Sequence, residues 1–474
     1  MASLQGIVSS IKSMPDPREN VYTIIGGKSA QFMSGTLLAL GDVVAIDVPA
    51  DANGPSVPMV TSPKIMDAVP INEIDSHLSK RVAAVSAGAR WPSSIGALNE
   101  AMASCAESMR GALHDCAAIF LRALLSGSPI VVRFHNDGDG ACGAMGVQAS
   151  LSRLINEEFF GQRQVMWRMH KGVSYSEDSL NDDLAHFSQF ESFTRPLVLI
   201  IDFGTTQESD AALVRAAGVI DILWIDHHPP YQDFDRARVK CYVNPWDHGC
   251  GSDFTAGALA CVFARSMHEC DVDDFIRASL VSDYSSYADR TDAKAMETAA
   301  LLDFLTSGSR AHGISSPTPQ AFIDVLSDQD RRAELLATAR GMLDEAFSIA
   351  MGDLKHYTGT AGIDVYALSF ERIAELGNGY PMPGRFSSRL QELLEAKNRG
   401  KTLTMVYQGS YISIRMSRDI AGSVNLQGMI SRLKYASEYI ESGGGHNEAG
   451  SIKVSKEHMD HVLRLLLAEL GVRQ

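Results

Sequence analysis

Short, largely apolar runs punctuate the middle of the chain, and each leads into residues that can bind a metal or carry a proton. Ile130–Phe134 reads IVVRF and runs on into HNDGDG, Pro196–Asp202 reads PLVLIID, and Val219–His228 reads VIDILWIDHH. Runs this short with apolar residues on both parities are the pattern of strands buried on both faces of a parallel sheet. Between them, Ala144–Glu158 carries a helical pattern and Val165–His170 reads as a further short strand. Strands separated by helix-length segments predict an α/β domain with a parallel sheet and a ligand crevice at the strands' carboxyl ends.

Elsewhere the period changes. GIVSSI, NVYTIIGG, SAQFMSG and GDVVAIDVP are β-rich runs separated by Pro, Gly or Asn, which predicts a small β domain of the oligonucleotide-binding (OB) type over residues 1–65. Its first 60 residues offer only Tyr22 and Phe32 as stacking rings and Lys12, Arg18 and Lys28 as bases. A structural or protein-docking role therefore stands beside strand guidance. Residues 66–127 read as a helical connector. Ile95, Leu98, Met102, Cys105, Met109, Leu113, Ala117 and Leu121 recur at three- and four-residue steps, and Gly127 and Pro129 close the run, predicting one long helix over 92–126. The parallel-sheet domain extends over 128–345, with further helices at 256–270, 274–282 and 317–357. A second, smaller α/β domain is expected over 360–474, with a strand at GIDVYALSF, a hairpin turning at Gln408-Gly409 and a glycine-rich stretch at Gly443–Gly450.

Composition narrows the class. A chain of 474 residues with 45% hydrophobic and 21% charged residues can bury large cores. The net charge of −15 argues against coating nucleic acid or acidic membranes by bulk electrostatics, though not against nucleic acid in a local cleft. Seven cysteines without a CxxC pair predict reduced, buried thiols rather than a disulfide framework. No signal-peptide pattern and no apolar run of about 18 residues is present, so the expectation is a cytoplasmic protein with no membrane partner.

The chemistry concentrates at the strand ends. His135, Asp137 and Asp139 alternate after the first strand, which on an extended chain aims them into one space. Asp202, Asp226-His227-His228 and Asp283 follow in order. Carboxylates mixed with imidazoles suit Mn²⁺, with Mg²⁺ as the alternative, and so many acids in one place without a metal would resist ionising together.

In this order the motifs resemble the DHH phosphoesterase superfamily: HNDGDG (135–140), IDFG (201–204), IDHH (225–228) and SD (282–283), followed by GGGHNEAG (443–450), which resembles the DHH-associated C-terminal domain. The length, the H-x-D-x-D-G form and the N-terminal β unit are most similar to archaeal RecJ-like exonucleases. The resemblance implies two divalent ions. His135 and Asp137 bind one, Asp139, His227 and Asp283 the other, and Asp202 bridges them. His228 contacts the second ion or the scissile phosphate, and Asp226 orients the imidazoles.

The resemblance also implies that Gly443, Gly444 and Gly445 present backbone amides to a phosphate, while His446 reaches the reacting group. Ser413 and Arg415, within ISIRMS, resemble an S-x-R element that holds a terminal phosphate. The basic run Arg385, Arg389, Lys397, Arg399 and Lys401 reads either as a track for a strand backbone or as a solvated helix face. The implied activity is exonucleolytic release of mononucleotides from single-stranded DNA or RNA. Two alternatives stand beside it: a phosphodiesterase acting on nanoRNA, cyclic dinucleotides or adenosine bisphosphate, and a replisome scaffold that binds GINS.

Overall fold

Alternating burial along the first strands builds the N-terminal β domain. β1 (Ala2–Lys12) pairs antiparallel with β2 (Asn20–Gly26) on one side and β4 (Asp42–Val48) on the other; β3 (Ser29–Ser34) continues from β2 and β5 (Lys64–Ala68) from β4. Val8, Tyr22, Ile24, Phe32, Val44 and Ile46 fill its core. The computed structural model describes residues 2–48, 57–87, 91, 95–160, 165–398, 401–421, 424–445 and 448–472. Two compact units result: Met1–Leu302 with Ser316–Asp328, and Asp303–Ser315 with Gln329–Gln474.

Three helices follow β5: α1 (Ile71–Ser86), α2 (Glu100–Ser108) and α3 (Arg110–Ser126). The single helix expected over 92–126 is thus two. Asn99 caps α2 by accepting from the Met102 amide, and the backbone leaves helical geometry at Met109 (φ −94°, ψ 2°). The apolar spacing runs unbroken through this break because both helices bury the same kind of face; Met102, Cys105, Met109 and Leu113 are all buried.

The parallel sheet is built from β6 (Ile130–His135), β8 (Met166–His170), β10 (Leu197–Ile201), β11 (Asp221–Ile225) and β12 (Cys241–Val243), in the order β12-β11-β10-β6-β8. Helix α4 (Gly138–Glu158) starts within the HNDGDG motif itself, six residues before the expected Ala144. Short strands β7 (Phe159–Phe160) and β9 (Phe190–Ser192) pair with β3 and β1, joining the N-terminal sheet to this domain. Helices α5 (Glu177–Phe187) and α6 (Asp210–Ala216) flank the sheet, and Val131, Val198, Ile200, Ile222 and Trp224 pack with them. α7 (Ala256–Met267), α8 (Asp273–Ser282), α9 (Ala293–Leu305) and α10 (Pro319–Ser327) complete the helical set before α11 (Gln329–Asp353).

The second unit holds a six-stranded sheet: β13 (Lys355–Thr358), β14 (Asp364–Ser369), β15 (Thr402–Gln408), β16 (Tyr411–Met416), β17 (Ile440–Gly445) and β18 (Ala449–Val454), ordered β13-β14-β15-β16-β18-β17. Its helices are α12 (Glu371–Gly377), α13 (Pro383–Asn398), α14 (Arg418–Ala421), α15 (Leu426–Ala436) and α16 (Met459–Glu469). One face packs Ile412, Ile414 and Ile452 against Leu426, Ile430 and Leu466; Leu368 and Val406 pack with Phe386 and Leu390 of α13.

The expectation of reduced thiols is not met. Cys105 pairs with Cys250 and Cys116 with Cys241, while Cys142, Cys261 and Cys270 are buried thiols outside either bond. The paired residues are 145 and 125 positions apart, so spacing carries no trace of them. Among the described residues no helix is long and apolar enough to cross a membrane.

Candidate metal centre

Strand register assembles the site. Phe134 of β6 lies beside Ile201 of β10, which lies beside Ile225 of β11. The next residues, His135, Asp202 and Asp226, therefore leave the sheet side by side at its carboxyl edge. β8 lies on one side of β6 and β10, β11 and β12 on the other. The row thus sits where the strand order reverses, the usual ligand crevice of an open α/β sheet.

Local turns then aim the side chains. Asp137 caps α4, its Oδ1 accepting from the Gly140 amide at 3.0 Å. A side chain at Gly140 would put a Cβ 2.6 Å from the His135 carbonyl oxygen, so this cap needs glycine. Asp202 adopts a left-handed backbone (φ 69°), a costly state for a non-glycine residue that tends to mark functional positions.

Asp202 stands between two groups. Its Oδ2 lies 3.7 Å from His135 Nδ1 and its Oδ1 lies 3.5 Å from His227 Nε2 and 3.9 Å from His228 Nδ1. His135 Nδ1 is also 2.8 Å from Asp137 Oδ2, and His227 Nε2 is 3.5 Å from Asp283 Oδ2. Two sets, His135-Asp137-Asp202 and Asp202-His227-His228, each hold ligand atoms within 4.8 Å of one another.

Behind them, Asp226 accepts from the His227 and His228 amides at 2.8 and 3.2 Å and from Thr205 Oγ1 at 2.8 Å. His227 Nδ1 meets the Ser252 carbonyl at 2.8 Å, which fixes Nδ1 as the protonated nitrogen and leaves Nε2 as the ligand atom. Thr205 and Ser252 have no signal in the sequence, since both act from loops remote in the chain.

Charge in the cluster is unbalanced. Burial, then Asp137, Asp139 and Asp283, push the Asp202 carboxyl well above the ordinary range. Burial and Asp283 raise Asp139 to about 6. Against the cost of burial, His228 holds Asp226 down at about 2, and Asp226 in turn lifts His228 to about 9. Crowded acids interleaved with imidazoles form a donor set suited to a first-row divalent cation, and such a cation relieves their repulsion.

The period-two expectation for His135, Asp137 and Asp139 fails at its third member. β6 ends at His135 and α4 begins at Gly138, so Asp139 is on a helix rather than an extended chain. It is buried, accepting from the Gly257 amide at 3.2 Å and from Ser279 Oγ, and lies outside both tight sets while remaining electrostatically coupled to Asp283 and His227.

In the second unit, Ser413 and Arg415 lie on β16 facing α13. Arg415 Nε donates to Ser388 Oγ at 2.9 Å and Nη1 to Ser413 Oγ at 3.2 Å, while Ser413 Oγ is 2.9 Å from Ser387 Oγ. Gly443, Gly444 and Gly445 end β17, an edge strand, opposite Ile452, Ser451 and Gly450. His446 and Arg399 lie outside the described residues. In the basic run, Arg385 is 3.4 Å from Asp303 and Arg389 3.3 Å from Glu392, which favours ion-paired helix surface over a backbone track.

Residues 129–282 match the DHH family, N-terminal domain, the stretch that holds every member of the two sets. This part of the chain is a DHH domain. An uncharacterized protein of Methanocaldococcus jannaschii is 31% identical over 186 residues, which are 36% of this chain and 24% of that protein. The chain thus spans about a quarter of that curated relative's length. Among solved structures, the DHH domain of a member of a ribosomal-protein family is 21% identical with a TM-score of 0.70, covering 85% of this chain and 98% of that one. Exonuclease RecJ bound to manganese is 13% identical with a TM-score of 0.46, covering 76% and 94%.

Proposed function

We propose that the DHH domain hydrolyses phosphodiester bonds with two divalent cations, Mn²⁺ or Mg²⁺, and that the protein releases mononucleotides from single-stranded DNA or RNA. The observation that carries the reading is Asp202, whose two oxygens face His135 on one side and His227 on the other. His135, Asp137 and Asp202 would hold one cation; Asp202 with His227, His228 and Asp283 would hold the other, with Asp139 supporting the second set. Cations there supply Lewis acidity to a phosphoester and neutralise charge gained during attack.

The chain's own contribution is orientation. Ser252 sets the His227 tautomer, Asp226 turns His228 towards Asp202, and the left-handed Asp202 backbone delivers the shared carboxylate. Arg415 and Ser413, with Ser387 and Ser388, form a compact donor group suited to a terminal phosphate. We assign the edge amides of Gly443–Gly445 and the His446 side chain to substrate as well, on the family resemblance.

A time course with Mn²⁺ on end-labelled single-stranded DNA and RNA of about 20 nucleotides, longer than a single OB-fold footprint, tests the proposal. Mononucleotide release from the long substrates is expected, and the label position gives the direction. Cleavage of a dinucleotide or cyclic di-AMP alone would instead indicate the small-substrate phosphodiesterase. Metal binding without any cleavage would indicate a scaffold, to be followed with GINS.

A further inference from the structure

Both disulfides run from the α2–α3 helix pair to the segment just after the DHH motif. Cys105 of α2 reaches Cys250 with Cα atoms 6.2 Å apart, and Cys116 of α3 reaches Cys241 at the start of β12 with 5.7 Å. Both separations lie within the range usual for a disulfide.

The segment so tethered is the one that holds the two histidines. The Ser252 carbonyl accepts from His227 Nδ1 at 2.8 Å; Trp246 Nε1 and Ser252 Oγ donate to the His227 carbonyl at 3.0 and 2.8 Å; Asn244 Nδ2 donates to the His228 carbonyl at 2.9 Å. Cys250 sits between Gly249 (φ 72°) and Gly251 (φ 68°), both left-handed with open space where a Cβ would be. A loop with a glycine on each side of its cysteine has wide conformational freedom, and the bond to Cys105 removes it two residues from the carbonyl that sets the His227 tautomer.

We propose that the Cys105–Cys250 bond, backed by Cys116–Cys241, is a positioning device that holds Ser252 against His227 and so sets the metal affinity of the DHH site. This rests on the metal reading above. A dithiol reductant opens each bond by transferring two electrons and two protons, giving two protein thiols and a cyclic disulfide of the reductant. Freed, the 249–253 loop no longer fixes Nδ1 as the protonated nitrogen, and outer-shell losses of this kind weaken metal sites by about 10- to 100-fold.

The full chain, purified without reductant, is mapped by alkylation and peptide mass analysis, then titrated with Mn²⁺ by electron paramagnetic resonance before and after reduction with the dithiol removed. Selective ¹⁵N-histidine spectra of the metal-free protein report the His227 tautomer in both states. Both linkages are expected in the untreated protein, with Mn²⁺ affinity falling at least about 10-fold on reduction and the Nδ1–H signature of His227 lost. Cys250→Ser should behave like the reduced chain and Cys270→Ser, at a free thiol, like the oxidised one. If Cys250→Ser does not fold, the reduced wild type still carries the test. Four free thiols at these positions before reduction, or equal Mn²⁺ affinity in the two states, would overturn the inference. Absence of Mn²⁺ binding in both states would overturn the metal reading itself, and the inference with it.

Discussion

Asp226 Oδ1 lies 2.8 Å from His228 Nδ1 while also receiving the backbone amides of both histidines. One buried carboxylate thereby fixes the direction of the whole DHH turn and, in the metal-free chain, stabilises a protonated His228. Asp226→Asn should lower Mn²⁺ affinity by about 10- to 100-fold, the range for outer-shell partners of metal ligands. In metal-free protein it should bring the His228 pKa down from about 9. An unchanged His228 titration by NMR would show that Asp226 does not hold the imidazole.

A second buried pair supports the sheet beside the site. Arg133 Nε and Nη2 each donate to Asp183 at 2.8 Å, Arg133 Nη2 donates to the Ser179 carbonyl at 2.9 Å, and Tyr175 Oη donates to Asp183 at 2.9 Å. The Arg133 and Asp183 side chains are 6% and 0% exposed. Asp183→Ala removes the closer of the two acids on a buried guanidinium, leaving Asp182 at 3.4 Å, and should cost up to about 3–5 kcal/mol in denaturant unfolding. Replacing both residues with apolar ones (Arg133→Met with Asp183→Leu) should recover most of that loss.

His170 stacks on Phe203 with ring centroids 4.0 Å apart and shares its Nε2 with the Ser174 carbonyl at 2.9 Å. Burial, then Arg133, lowers its pKa from 6.5 to about 4. Because the folded value lies below the unfolded one, the unfolded chain binds more protons between these pH values. The His170 contribution is therefore present above pH 6.5 and lost as pH falls from there to about 4. His170→Phe keeps a ring on Phe203 and should lose less stability than wild type across that window. Parallel acid-stability curves would exclude a half-buried neutral His170.

Arg415 and Ser413 make a prediction that separates grip from chemistry. Arg415→Ala should weaken cleavage of 5′-phosphorylated oligomers more than of 5′-hydroxyl ones, by about 10-fold or more for a lost charge-assisted contact. Equal effects on the two substrates would remove the terminal-phosphate role.

The parts of the fold legible in the sequence were those decided locally. Apolar runs ending at Phe134, Ile201 and Ile225 marked the strands, and their polar successors marked the crevice, because a strand's burial and its exit are written within a few residues. The extended geometry expected of Asp139 is not met because alternation holds only while the chain stays extended, and α4 starts at Gly138. The break at Met109 was invisible because the apolar stripe passes straight through it. The strand at Gly443–Gly445 is not legible because glycine is rare in strands, yet Gly443 lies where a Cβ would come 2.8 Å from Ile430 Cγ2, so close packing on α15 requires it. The disulfides and the Ser252 carbonyl depend on contacts between distant segments, for which a single sequence holds no periodic signal.

Asp202→Asn tests the shared carboxylate with almost no change in shape. Mn²⁺ stoichiometry and cleavage of a single-stranded oligonucleotide should be measured side by side on the wild type and this variant, with circular dichroism as the check on folding. Two bound ions per wild-type chain are expected, fewer in the variant, with hydrolysis reduced by at least about 100-fold and the fold intact. A folded Asp202→Asn protein that binds two ions and cleaves at the wild-type rate would contradict a shared Asp202 carboxylate.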